Sequence, residues 1–122
     1  MTSQLSAALR AAAAGICPDE AGTGLIISHG TFLHRDDFTC HIEAAASISD
    51  GTPMAWIDWD AVITALDAGR LPASGGEQRI VRIAASLAAG HLVNLRDAIP
   101  GIDQRNLDLV TAAICCAAGQ RH

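Results

Sequence analysis

The sequence predicts an all-α fold, a compact single-domain bundle of about five helices plus one short helical turn. Three observations carry that prediction. Half of the 122 residues are hydrophobic, yet only two Phe, two Trp and no Tyr are among them, so a core has to be assembled from Ala, Leu, Ile and Val. Alanine is the strongest helix former, and its short side chain lets helices approach closely. Runs of β-branched and aromatic residues bounded by turn signals, the mark of sheet, are scarce. One stretch, residues 74–90, reads as a complete helix on its own. Ser74 and Glu77 form a capping box and Gly90 is the matching stop. Between them Ile80, Ile83, Ala84, Leu87 and Ala88 share one face, leaving Arg79, Arg82 and Ser86 on another.

The other elements follow from the same signals. Residues 3–14 form a first helix capped by Ser3, with Leu5 and Leu9 on one side and Gly15 at its end. Cys17-Pro18-Asp19-Glu20 opens a second, since proline suits the first helical position and the carboxylates complement the positive end of the helix dipole. Gly22 and Gly24 weaken it by about 1 kcal/mol each relative to Ala. A third helix over residues 36–46 carries Phe38, Ile42, Ala45 and Ala46 at helical spacing. Ser47 to Pro53 is the most obvious loop, so residues 47–56 are the expected hinge between an N-terminal helical segment and the C-terminal helices. Asp58 caps a fourth helix ending near Gly69, with Val62, Ile63 and Leu66 inward. The helix from Ser74 is then the expected centre of packing. Asn94 caps one short turn, and Asp103 caps a last helix over 104–118 in which Leu107, Val110, Ile114 and Ala118 form one stripe and Leu109, Ala113 and Cys116 a neighbouring one. At 122 residues the whole chain, 1–122, makes one domain.

Charge bounds the partners. The formal net charge is −5 and every basic side chain is Arg. Residues 1–69 hold two arginines against nine acids (−7), and residues 70–122 hold six against four (+2). That balance argues against general nucleic-acid binding, which depends on neutralising phosphates. The Ala-rich N-terminus has no basic residue ahead of it, and no apolar run reaches membrane-spanning length, so a cytoplasmic location without membrane attachment is expected. Cys17, Cys40, Cys115 and Cys116 show neither C-x-x-C pairing nor regular spacing, which predicts reduced thiols rather than a disulfide scaffold or zinc ribbon.

Three sets of residues could carry chemistry. His34, Asp37 and His41 would present two imidazoles and a carboxylate to a divalent metal if residues 36–46 were helical, although capping carboxylates beside surface histidines account for the same residues. Arg79 and Arg82, three apart on the outer face of their helix, suit ion pairs between helices or with a partner. Trp56 and Trp59 flank Ile57-Asp58. Trp59 reads as core and Trp56 is a candidate anchor for a partner, given the enrichment of Trp at interaction hot spots. No phosphate-binding glycine motif is present, and no cofactor is implied.

Two stretches carry a resemblance. They are Leu25-Ile26-Ile27-Ser28-His29-Gly30-Thr31-Phe32-Leu33-His34-Arg35-Asp36-Asp37-Phe38 and Ile57-Asp58-Trp59-Asp60-Ala61-Val62, the latter continuing through Ala65-Leu66-Asp67-Ala68-Gly69 and Leu71-Pro72-Ala73-Ser74-Gly75-Gly76-Glu77. With Asn94-Leu95-Arg96-Asp97-Ala98 and Gly101-Ile102-Asp103, they resemble a group of small actinobacterial proteins usually left as uncharacterised. The resemblance spans most of the chain and implies an actinobacterial origin and no signal peptide. It brings no activity, cofactor or catalytic residue with it. The leading expectation is therefore a small cytoplasmic helical protein that acts by binding another protein or a second copy of itself. A metal-dependent protein using His34, Asp37 and His41 is the alternative. A DNA-binding regulator using the more basic C-terminal half is the second alternative, although the connection from Gly90 to Asp103 is too long for the usual helix-turn-helix.

Overall fold

The computed structural model describes residues 2–120. Its elements run α1 (Thr2–Ala13), α2 (Cys17–His29), a 3₁₀ turn (Phe32–His34), α3 (Asp36–Thr39), β1 (Ile42–Ala46), β2 (Pro53–Ile57), α4 (Trp59–Asp67), α5 (Gly75–Ala89), α6 (Leu95–Ala98) and α7 (Gln104–Ala117). The protein is mostly helical, as its composition requires, but it is not purely so: β1 and β2 form a two-stranded antiparallel sheet. Among the described residues no helix is long and apolar enough to cross a membrane.

The capping signals translate directly into local structure. The Ser74 hydroxyl accepts from the Glu77 N–H at 3.2 Å, and the Glu77 carboxylate accepts from the Ser74 N–H at 2.8 Å, closing the expected box at the head of α5. Asp58, Asn94 and Asp103 cap α4, α6 and α7 in the same way, each accepting from a backbone N–H of the first turn. Such caps satisfy donors that the helix itself cannot use.

The centre of packing is α2 rather than α5. It packs against α1, α5 and α7, and its buried residues Ala21, Gly22, Thr23, Leu25, Ile26 and His29 lie on several sides of the helix. A helix buried most of the way round has no single apolar stripe, which is why its sequence looks unpromising. Gly22 is the point of closest approach. A Cβ built there would lie 2.6 Å from both the Ala84 carbonyl oxygen and the Ala88 Cβ on α5. The glycine lowers helix propensity and in return lets two backbones meet. Arg105 of α7 then closes the far end of α2 by donating to the His29 carbonyl at 2.8 Å, taking up one of the helix's unpaired terminal acceptors.

The aromatic part of the core is small. Phe32 and Phe38 are fully buried with ring centroids 5.2 Å apart, and they sit among Leu9, Ile26, Val62, Leu71, Ile80 and Val81. Trp59 is partly buried and packs on this cluster, as expected of a core residue. On α7 the inward residues are Asn106, Val110 and Ala113, with Leu109 packed beside them and Ile114 half exposed, so the buried side is turned from the Ile114 stripe toward the neighbouring one that holds Leu109 and Ala113.

Residues 36–56 depart most from expectation. The helix stops at Thr39, and Ile42–Ala46 is the strand β1 instead of its continuation. Residues 47–56 fall within the hairpin that follows. Ser47 to Thr52 is the turn of a β-hairpin, and Pro53–Ile57 is its second strand, packed against α1. Gly51 at φ 74° donates its N–H to the Ser47 carbonyl at 2.9 Å, and Asp50 accepts from the Thr52 N–H at 2.9 Å, which together fix the turn.

Candidate interaction surface

The hairpin register pairs Ile42 with Ile57, Ala44 with Ala55 and Ala46 with Pro53. The Asp58 N–H donates to the His41 carbonyl at 2.9 Å and the Ser47 N–H to the Thr52 carbonyl at 2.8 Å. Because hydrogen-bonded and non-bonded pairs alternate in an antiparallel ladder, Glu43 and Ala45 turn their backbone groups toward β2, while Ile42, Ala44 and Ala46 turn theirs away from it. Those outward groups have no hydrogen-bond partner among the described residues. Four of the five β1 residues are exposed.

The two edges of this sheet are treated differently. On β2 the outward positions are Pro53, which has no N–H, and Ala55 and Ile57, which are buried where the strand packs on α1. Proline and helical cover are two of the ordinary means of blunting an edge. The β1 edge has none of them: it contains no proline, no Lys or Arg, no bulge in its pairing, and one charge, Glu43. Trp56 faces outward from the hairpin, 44% exposed, with its indole Nε1 donating to the Glu43 carboxylate at 2.7 Å. Ile48, at the turn, is fully exposed.

The residues singled out from the sequence fall in three separate places. Trp56 lies on β2 and Trp59 on α4, and both line one groove of about 320 Å³ with Leu9, Ala12 and Thr23. Arg79 and Arg82 line a groove of about 400 Å³ with Gln78, Val93, Asn94 and Asp97. Arg82 is engaged within the fold, donating to Asp67 of α4 at 2.7 Å. The Arg79 guanidinium lies against Gly101 and has no ion-pair partner among the described residues.

His34, Asp37 and His41 are not gathered as the helical reading of 36–46 required, because His41 lies beyond the end of α3, at the start of the hairpin. Asp37 is held in a two-pronged ion pair by Arg35, at 2.9 and 2.6 Å, which keeps its carboxyl below the usual range. Arg35 also donates to the Pro72 carbonyl and approaches Glu77 at 3.8 Å, so it ties α3 to the head of α5. His34 Nδ1 lies 3.5 Å from the Thr2 hydroxyl. Among the described residues no three His, Cys, Asp or Glu side chains converge as metal ligands. The four cysteines are free thiols.

One histidine outside the His34, Asp37 and His41 set has a distinctive environment. His29 ends α2, is 9% exposed, and packs against Phe32 with ring centroids 5.0 Å apart. Its Nδ1 has no hydrogen-bond partner among the described residues. Burial lowers its pKa from 6.5, and Arg105 lowers it further, against weaker opposing pulls from Glu77 and Asp103. Its position three and four residues beyond Ile26 and Leu25 was the available signal, because that spacing shares their buried side.

The chain matches no protein-family profile, no curated protein and no solved structure.

Proposed function

We propose that this protein acts by binding another protein chain and that the hairpin, residues 42–57, is its contact arm. The observation that carries the reading is the bare β1 edge. A row of unpaired backbone donors and acceptors is a template for another strand, and proteins normally cover or blunt such an edge. Here β2 is protected and β1 is open. Trp56 and Ile48 add apolar area to the same arm, with the Trp56 indole N–H already satisfied by Glu43. An exposed aromatic with its polar atom paired suits an anchor, since binding need not strip it of a water partner. Arg79 supplies a separate cation for an acidic partner residue, whereas Arg82 is committed to Asp67.

The test is site-specific photo-crosslinking in cells. A photoreactive side chain at position 48 is expected to give a discrete, stoichiometric adduct. The same group at Thr111, exposed on α7, is the control and is expected to give none. No adduct from position 48, or equal adducts from both positions, would overturn the reading.

A further inference from the structure

Resting on the reading of the hairpin as a contact arm, we infer that β1 pairs with β1 of a second copy, antiparallel about a two-fold axis at Ala44, making one continuous four-stranded sheet. The outward residues are Ile42, Ala44 and Ala46, an odd-numbered set symmetric about its middle member. A two-fold axis there sets Ala44 opposite Ala44 of the partner subunit and Ile42 opposite Ala46 of the partner subunit. Each such pair exchanges both of its N–H···O=C bonds, so every outward donor and acceptor of the strand is used.

The side chains accept this register. Glu43, the one charge on β1, faces Ala45 of the partner subunit rather than a second carboxylate, and it is already hydrogen-bonded to Trp56. Like charges directly opposite each other would oppose pairing, and none occur. The methyl groups of Ala44, Ala45 and Ala46 impose no bulk between the strands. The contact is isologous, the same strand meeting itself, which is how most homodimers close.

Proline at two neighbouring positions tests the inference. The Ala44 N–H points out of the hairpin, so Ala44→Pro removes no internal hydrogen bond, whereas it deletes a donor from each copy at the centre of the proposed interface. Ala45→Pro removes the donor that faces Met54 and breaks the hairpin itself. Light-scattering mass measurements on the full chain are expected to show a monomer–dimer equilibrium. Ala44→Pro is expected to be monomeric at every concentration, with unchanged far-UV circular dichroism, and Ala45→Pro to lose thermal stability. Ala44→Lys keeps the N–H and places two cations opposite each other. It is expected to weaken the dimer at least tenfold and keeps the test open if Ala44→Pro does not fold.

A wild-type chain that stays monomeric to millimolar concentration would overturn the self-pairing, as would a dimer that both Ala44 variants leave intact. Photo-crosslinking separates this failure from failure of the interaction reading. An adduct of twice the chain mass from position 48, lost in Ala44→Pro, is the expected result. A discrete adduct with a different protein overturns self-pairing and leaves the contact arm standing, whereas no adduct overturns both.

Discussion

Replacing Gly22 and Gly24 by alanine should move stability in opposite directions. By helix propensity alone each change is favourable by about 1 kcal/mol. At Gly24 nothing lies within 4 Å of the new Cβ, so that gain is realised. At Gly22 the new Cβ would meet the Ala84 carbonyl oxygen and the Ala88 Cβ at 2.6 Å, well inside the contact distance of roughly 3.5 Å. The Ala84 carbonyl belongs to the α5 backbone and cannot rotate away, so α2 and α5 must separate. Overpacking of this kind costs about 1–3 kcal/mol, and backbone contact belongs at the upper end of that range. Net of propensity, Gly22→Ala should lose about 2 kcal/mol and Gly24→Ala gain up to about 1 kcal/mol. At roughly 4 °C per kcal/mol for a domain of this size, their melting temperatures should differ by on the order of 10 °C. Thermal unfolding followed by far-UV circular dichroism, with urea unfolding followed by Trp fluorescence, measures both. A Gly22→Ala chain as stable as the wild type would refute the close α2–α5 approach, and so would two variants shifting together.

Ser74→Ala should lose about 1 kcal/mol in urea unfolding, because it deletes the cap at the head of α5 while leaving the helix face intact. Phe38→Ala should lose about 3–5 kcal/mol, since it empties a fully buried site beside Phe32, and thermal unfolding should show it as the least stable of these variants. The lowered pKa of His29 means that the unfolded chain binds the imidazole proton more tightly than the folded one. Its contribution is therefore fully present above pH 6.5 and is lost as pH falls from there toward the lowered value. Urea unfolding at a series of pH values should show this decline, and His29→Gln should remove that part of the slope.

Most of the helical frame was legible because its signals are local. The Ser74–Glu77 box and the caps at Asp58, Asn94 and Asp103 depend on residues within one turn, so spacing in the sequence was sufficient to place them. Gly22 was misread for the opposite reason. Its low propensity is a property of the chain, but the reason for its presence is Ala84, far away in sequence and in contact in space. The hairpin failed for a related reason. Ile42, Ala45 and Ala46 fit a helical period, and alanine favours helix, so only pairing with residues 53–57 makes the segment a strand. Strand preference depends on context more than helix preference does. That single reassignment leaves His41 beyond the end of α3 and places Trp56 on a strand. It also exposes the β1 edge, which no helical reading of residues 36–46 could have contained.

Amide hydrogen exchange along β1, measured by NMR at low and high protein concentration, tests the open edge and its pairing together. The amides of Glu43 and Ala45, which face β2, should be protected at both concentrations. Those of Ile42, Ala44 and Ala46 should exchange rapidly when dilute and become protected as concentration rises. Fast exchange of all three at every concentration would contradict pairing with a second copy. Protection of all three in the dilute monomer would contradict the open edge itself.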